Sequence, residues 1–263
     1  MTLRIISWNV NSVRLRLDIL QWLITETAPD VICLQETKVQ DGDFPRQAIA
    51  ELGFDHIHIQ GMKSYNGVAI LARVPFAETG SQNWCGRDDC RHIFVRLKGG
   101  IELHNLYVPA GGDIPDPDAN PKFAHKLQFL EDLTGWFAAQ GDKRRRSVLV
   151  GDLNIAPLET DVWSHKQLLK IVSHTPVEVE LLNRLQKSLD WVDAVRHFIP
   201  PDQRLYSWWS YRAKDWRASN RGRRLDHIWV TPALRSRLKD ANIITEARDW
   251  SPTSDHAPVV VTL

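Results

Sequence analysis

The chain has 263 residues, 43% apolar and 25% charged, an ordinary globular make-up with enough apolar mass for a sizeable core. No run reaches the ~18 apolar residues of a membrane-spanning helix, and Met1-Thr2-Leu3-Arg4 lacks the order of a secretory signal, so an intracellular, cytoplasmic location is expected. The three cysteines Cys33, Cys85 and Cys90 exclude a disulfide framework, and Cys85, Cys90 and His92 fall short of a closed zinc site, which leaves reduced thiols.

In chain order, residues 3–7 read as a buried strand, 14–27 as a helix with Leu15, Ile19, Leu20, Leu23 and Ile24 at helical spacing, and 31–34 as a second strand. A short helix is expected at 44–52, stopped by Gly53, and strands at 68–71, 93–97 and 103–108. Residues 109–121, with four prolines and two adjacent glycines, read as a surface loop over a site. A helix at 122–140 follows, then a basic run at 143–146 read as a solvated turn, then a strand at 147–150. Helices at 161–171 and 179–189 and strands at 225–230, 243–245 and 259–263 complete the pattern. Many strands with interspersed helices indicate an α/β protein, and strands that follow one another without helices point to two packed sheets with helices outside. No repeat or linker divides the chain, so residues 1–263 are expected to form a single domain.

Asp and Asn are depleted in strands, yet here they recur at strand ends. Asn9 and Asn11 follow the first strand, Glu36 the second, and Asp152 and Asn154 the strand at 147–150. Asp226 lies inside the strand at 225–230, and Asp255 and His256 precede the last one. Each alone has a bland explanation as a turn or cap residue. Together they describe a rim of sheet ends where carboxylates gather, and such an oxygen-rich, sulfur-poor set suits Mg²⁺ or Mn²⁺ with substrate phosphate in the shell. There is no phosphate-binding glycine loop, His-Glu-x-x-His helix, Gly-x-Ser-x-Gly elbow or dinucleotide fingerprint, so phosphate chemistry would rest on metal and side chains.

The net charge is only +1, but residues 204–224 carry seven Lys or Arg and one Asp, a local +6. In this stretch Tyr206, Trp208, Trp209, Tyr211, Arg212, Lys214, Trp216, Arg217 and Arg221 interleave aromatic rings with cations. Trp209 alone reads as core, whereas the stretch as a whole reads as a nucleic-acid face.

The segments Ser7-Trp8-Asn9-Val10-Asn11-Ser12, Leu34-Gln35-Glu36-Thr37-Lys38, Asn66-Gly67-Val68-Ala69-Ile70, Asn105-Leu106-Tyr107-Val108-Pro109 and Gly151-Asp152-Leu153-Asn154-Ile155-Ala156-Pro157 span the first part of the chain. With Tyr206-Ser207-Trp208-Trp209-Ser210-Tyr211-Arg212, Arg224-Leu225-Asp226-His227 and Ser254-Asp255-His256-Ala257-Pro258, the sequence resembles the exonuclease III family of abasic-site (AP) endonucleases, in the endonuclease/exonuclease/phosphatase superfamily. The resemblance implies a deoxyribonuclease I-like four-layer α/β sandwich, two mixed β-sheets face to face with helices on both outer sides. It implies a monomeric, Mg²⁺- or Mn²⁺-dependent DNA-repair nuclease at the nucleoid. Such an enzyme cuts double-stranded DNA 5′ to abasic sites and clears 3′ ends as exonuclease and 3′-phosphatase. The alternative within the superfamily is a phosphatase for an inositol phosphate or sphingomyelin.

The resemblance also implies roles. Glu36, with Asn9 and Asp255, would hold the metal; Asp152, Asn154 and His256 are candidates for a second ion. Asp152 would exchange a proton with water or the leaving group, Asn154 would orient that water or hold a phosphoryl oxygen, and Tyr107 would contact the phosphate or stabilise the leaving oxygen. His256 would bind phosphate or act as base, with Asp226 fixing its tautomer. Trp208 and Leu225 would wall a pocket for a base-less deoxyribose, and Arg212 and Arg221 would contact DNA. Three positions depart from the family pattern: Ala110 stands for an amide side chain, Asp113 for an arginine and Arg223 for a pocket tryptophan.

Overall fold

The computed structural model describes residues 2–142, 144–213 and 215–263; Met1, Lys143 of the basic run and Lys214 of the aromatic-basic stretch lie outside the described residues. Fourteen strands form two six-stranded sheets and one two-stranded ribbon among these residues. The first sheet is built from β1 (Arg4–Asn9), β2 (Val31–Gln35), β3 (His56–Gln60), β4 (Val68–Ala72), β13 (Asp240–Ile243) and β14 (Val259–Thr262), in the order β13-β14-β1-β2-β4-β3. The second uses β5 (Phe76–Ser81), β6 (His92–Leu97), β7 (Glu102–Tyr107), β8 (Ser147–Asp152), β9 (Val192–Asp193) and β12 (Asp226–Val230), in the order β5-β6-β7-β8-β12-β9. Only β1–β2 and β7–β8 run parallel, so both sheets are mixed. The ribbon pairs β10 (Trp208–Trp209) with β11 (Gly222–Arg223).

The central strands are apolar throughout because both of their faces are covered. In β1 and β2, Ile5, Val31 and Cys33 point between the sheets against Val95, Leu103, Val148, Val150 and Ile228. Their neighbours Ile6, Trp8, Ile32 and Leu34 point outward onto α1 (Leu17–Thr27), which returns Ile19, Leu20 and Leu23, and onto Ile49 of α2 (Arg46–Glu51). On the other side Leu106, Leu149 and Trp229 meet Phe129, Leu130, Leu133 and Phe137 of α3 (Pro121–Gln140) and Leu181, Leu182 and Leu185 of α5 (Pro176–Ser188). The result is the expected order of layers: helices, sheet, sheet, helices. Among the described residues no helix is long and apolar enough to cross a membrane.

The structure corrects several expected elements. The helix expected at 161–171 is only a 3-10 turn, Glu159–Asp161, and one turn of helix, α4 (His165–Leu168). Asp161 is recruited elsewhere: it is buried and binds Arg224 (Nε–Oδ1 2.8 Å) and Arg196 (Nη2–Oδ1 2.6 Å). The helix expected from residue 14 begins at Leu17, because Arg16 turns its guanidinium inward onto the carbonyls of Asn11 and Thr253. Strands β3 and β5 were not expected; both are sheet edges, where polar residues such as Glu78 and His58 face outward or to a neighbour. The last expected strand but one lies earlier, at β13, whose alternation Asp-Ala-Asn-Ile fits an edge with one covered face. Two short helices, α6 (Trp216–Ser219) and α7 (Pro232–Arg235), complete the chain.

Arg224 is 1% exposed and its guanidinium also binds Asp193 of β9 (2.7 Å), so Asp161, Asp193, Arg196 and Arg224 tie the turn at residues 159–161 to β9 and to the start of β12. Breaking one partner of a buried ion pair costs roughly 3–5 kcal/mol. Asp161→Ala is therefore expected to lower stability by that amount in urea denaturation; a change below about 1 kcal/mol, the worth of a surface pair, would contradict the assignment.

Candidate active site

The register of the strands brings the polar ends together. Asn9 ends β1 opposite Gln35, the last residue of β2, so Glu36 emerges beside it. Tyr107 ends β7 opposite Asp152, which ends β8, and Asp226 opens the antiparallel β12 opposite the same Asp152. Ser254 donates its hydroxyl to the Asn9 carbonyl (2.7 Å), which seats Asp255 and His256 at the same rim just before β14. Glu36 and Asn154 both lie in the left-handed backbone region, φ +51° and +54°, where residues with side chains are uncommon; both sit where a strand stops abruptly and turns its side chain into the cleft.

Asn9 Nδ2 donates to Glu36 Oε1 and to Asp152 Oδ2, each at 2.9 Å. Glu36 Oε1 also accepts from Tyr107 Oη (2.8 Å), and Oε2 meets Lys38 Nζ (2.8 Å). Burial alone would raise the Glu36 carboxyl, but donors from Asn9, Lys38 and Tyr107 outweigh it and hold it below the usual range. Burial, then the charges of Glu36 and Asp152, push Tyr107 well above an ordinary phenol, so it stays a donor.

Asp152 and His256 form the second half of the site. His256 Nδ1 donates to Asp226 Oδ2 (2.8 Å), which also accepts from Ser207 Oγ (2.6 Å), while Nε2 lies 3.7 Å from Asp152 Oδ2. Burial opposes charge on His256, but the carboxylates of Asp226 and Asp152 prevail and push it up to about 10. Burial pushes Asp152 up to about 7; Asp226 and Glu36 add to this, and His256 and Asn9 oppose it. Asn154 donates its backbone N–H to Asp152 Oδ1 (2.9 Å) and Nδ2 to the Val108 carbonyl (2.9 Å), leaving its amide oxygen as the end available to the cleft. Asp255 accepts from Asn11 Nδ2 (3.1 Å) and from Trp208 Nε1 (2.9 Å), so the rim carboxylate fixes the pocket wall.

The donor set fits a hard divalent cation: Glu36 and Asp255 supply carboxylate oxygen, Asn9 an amide, and no thiolate is near. Asp152, Asp226 and His256 form the single group of three metal-capable side chains among the described residues, with ligand atoms within 4.8 Å of one another. Asp226, the third acidic or imidazole member of that cluster, is already bound to His256 and Ser207. Cys85, Cys90 and His92 form no such group, and all three cysteines are free.

Glu36, Tyr107, Asp152, Asn154, Asp255 and His256 line a cleft of about 570 Å³. Trp208, Arg212, Arg221, Arg223 and Leu225 line the same cleft, Trp208 next to Asp255 and His256, and Trp163 lies beneath Arg221 at 4.8 Å. Ala110, Gly112 and Asp113 close one end. The expected residues therefore converge, with Asp226 behind His256. The +6 stretch does not survive as one basic face. Arg224 is buried on Asp161 and Asp193, Arg217 closes on Asp249, and Arg223 binds the Val172 carbonyl and Ser173 Oγ. Tyr206 and Trp209 are core residues. Arg212 and Arg221 remain as exposed cations at the cleft. Lys38, Ser207 and Trp163 were not singled out from sequence; Lys38 and Ser207 lie within recognisable motifs, but their partners are set by strand register.

Residues 6–256 match the model of the Endonuclease/Exonuclease/phosphatase family, and the chain belongs to that family. It is 32% identical to exodeoxyribonuclease III of Haemophilus influenzae over 98% of each chain. Among solved structures it is similar to an AP endonuclease from Archaeoglobus fulgidus, with TM-score 0.91 and 33% identity over 98% of each chain. It is also similar to the 3′ phosphatase NExo from Neisseria bound to a product DNA hairpin, with TM-score 0.90 and 32% identity over 98% of each chain.

The His256 pair can be titrated directly. Its folded pKa lies above the ordinary value of about 6.5, so its contribution to stability is complete below that pH and is lost as pH rises through about 10. NMR titration of the metal-free protein is expected to find His256 charged well above neutrality, and Asp226→Asn to lower its pKa by about one unit or more. An unchanged pKa in the variant would show that Asp226 does not control the imidazole.

Proposed function

We propose that this chain is a DNA-repair nuclease that hydrolyses phosphodiester bonds in double-stranded DNA, cutting 5′ to abasic sites and removing nucleotides or blocking groups from 3′ ends as 3′-5′ exonuclease and 3′-phosphatase. One observation carries the reading: the carboxylate and imidazole groups share one cleft with Trp208, Arg212 and Arg221. Guanidinium groups bind any phosphate, but aromatic rings interleaved with them suit the stacked bases and backbone of a nucleic-acid strand. The full-length likeness to the relatives named above supports the same reading. We read residues 1–263 as one domain with a shared core, acting as a monomer in the cytoplasm at the nucleoid.

Bound by Glu36 and Asp255 with Asn9, Mg²⁺ or Mn²⁺ would supply positive charge to a phosphoryl oxygen. The chain's own groups do the rest. Asp152, titrating near 7, is suited to take a proton from the attacking water or return one to the leaving oxygen. Asn154 offers its amide oxygen to orient that water. Tyr107 stays protonated, and its one O–H, given to Glu36 in this structure, would turn to the phosphate once Glu36 holds the cation. His256, charged and held by Asp226, neutralises developing negative charge at Nε2, which takes the place a second ion at Asp152, Asn154 and His256 would fill. Trp208 and Leu225 wall the space for a base-less sugar, and Arg212 and Arg221 bind flanking phosphates.

The test is a labelled duplex carrying one abasic site, incubated with Mg²⁺ or with EDTA. The expected result is a cut 5′ to the site with Mg²⁺ and none with EDTA, and for Asp226→Asn a single-turnover rate lower by on the order of 10²-fold. Full cleavage in excess EDTA would remove the metal assignment. An intact duplex beside phosphate released from inositol phosphates or sphingomyelin would establish the alternative.

A further inference from the structure

Lys126 of α3 and Glu178 of α5 are completely buried, and the scheme above uses neither. Their charged atoms meet at 2.5 Å. An ammonium has three N–H donors and no acceptor. Lys126 spends the other two on backbone carbonyls, those of Asn154 (2.8 Å) and Ala110 (3.3 Å). Glu178 is as fully engaged. It accepts from the backbone N–H of Ser173 and Thr175 and from Thr175 Oγ, closing the capping box at the start of α5.

Apolar residues of similar volume often match or exceed the stability of a buried ion pair, so stability alone does not account for this one. Its two backbone partners do. Asn154 holds a left-handed conformation, which persists only where surrounding contacts over-determine it. Its N–H is fixed on Asp152 Oδ1 and its C=O on Lys126. Ala110 leads into Gly111 and Gly112, also left-handed at φ +90° and +71°. A Cβ on Gly111 would lie 2.9 Å from Lys126 Cδ, so the loop packs directly on the lysine stem. Both segments line the cleft.

We propose that Lys126, through its hydrogen bonds to the carbonyls of Asn154 and Ala110, is a positioning residue for phosphodiester cleavage: it fixes the turn at residues 152–154 against the loop at 110–112. The proposal rests on the nuclease reading. A small misplacement of reacting groups can cost up to about 10²-fold in rate, so the effect belongs in kcat.

The experiment measures kcat and KM on an abasic duplex, and Tm, for wild type, Lys126→Met, Glu178→Gln and the double variant. Lys126→Met leaves a buried carboxylate unpaired and is expected to lower Tm. Its kcat is expected to fall about tenfold or more, with KM within about twofold. The double variant removes both charges and is expected to regain Tm while kcat stays low. Glu178→Gln alone leaves the ammonium on both carbonyls and is expected to keep kcat within about threefold of wild type. The double variant, with no unpaired buried charge, carries the test even where Lys126→Met alone does not fold. Recovery of kcat together with Tm in the double variant, or a kcat loss in Glu178→Gln equal to that in Lys126→Met, would overturn the proposal. A folded wild type that leaves the duplex uncut would instead overturn the nuclease reading.

Discussion

One amide nitrogen joins the two halves of this protein's site. Asn9 Nδ2, at the end of β1, donates at once to Glu36 beside its own sheet and to Asp152 of the facing sheet. Four carboxylates gather at this rim, Glu36, Asp152, Asp226 and Asp255, and Lys38 and His256 are in direct contact with them. In a low-dielectric interior such an excess is costly, and the molecule distributes it. Donors hold Glu36 ionised, Asp226 shares its charge with His256, and Asp152 is driven up to about 7. The mixed sheets make this possible. Parallel pairs end β1 beside β2 and β7 beside β8 on one side, and antiparallel β12 and β14 begin there.

The same rim stores backbone strain. Asn11, Ser12, Glu36, Lys38, Asn66 and Asn154 all have positive φ, although none is glycine. Strain of this kind needs compensating contacts, and the loops supply them to one another. Ser12 N–H donates to the Glu36 carbonyl (2.8 Å), Thr37 to Gly67 (3.1 Å) and Lys38 to Asn66 (3.0 Å). At Gly67 a Cβ would sit 2.2 Å from Thr37 Oγ1, so only glycine permits that contact. The loops after β1 and β2 and before β4 thus form one rigid lip that aims Glu36 and Asn11 inward.

Much of this was legible in the sequence. Strands buried on both faces advertise themselves as apolar runs, and polar groups at their ends stand out against that background. That is why Asn9, Glu36, Asp152, Asp226 and Asp255 were identifiable before any geometry. Edge strands carry no such contrast, so β3 and β5 were hidden. The helix expected at 161–171 failed because periodicity cannot show that Asp161 is committed to Arg224 and Arg196. The basic stretch was legible in part, since Trp208, Arg212 and Arg221 do line the cleft. A count of cations does not distinguish Arg221 at the cleft from Arg224, whose charge is spent on the fold. Lys126 carries no signal in the sequence beyond its place in a helix, and only the approach of α5 and two loops gives it a partner set.

On the proposed reading, the rim seats a divalent cation on Glu36 and Asp255. Anomalous diffraction from crystals of the protein soaked in Mn²⁺ tests this most directly. A metal peak is expected in direct contact with the Glu36 carboxylate, on the side of the cleft shared with Asp255. A peak confined to Asp152, Asp226 and His256 with none at Glu36, or no peak at the rim at saturating Mn²⁺, would contradict it.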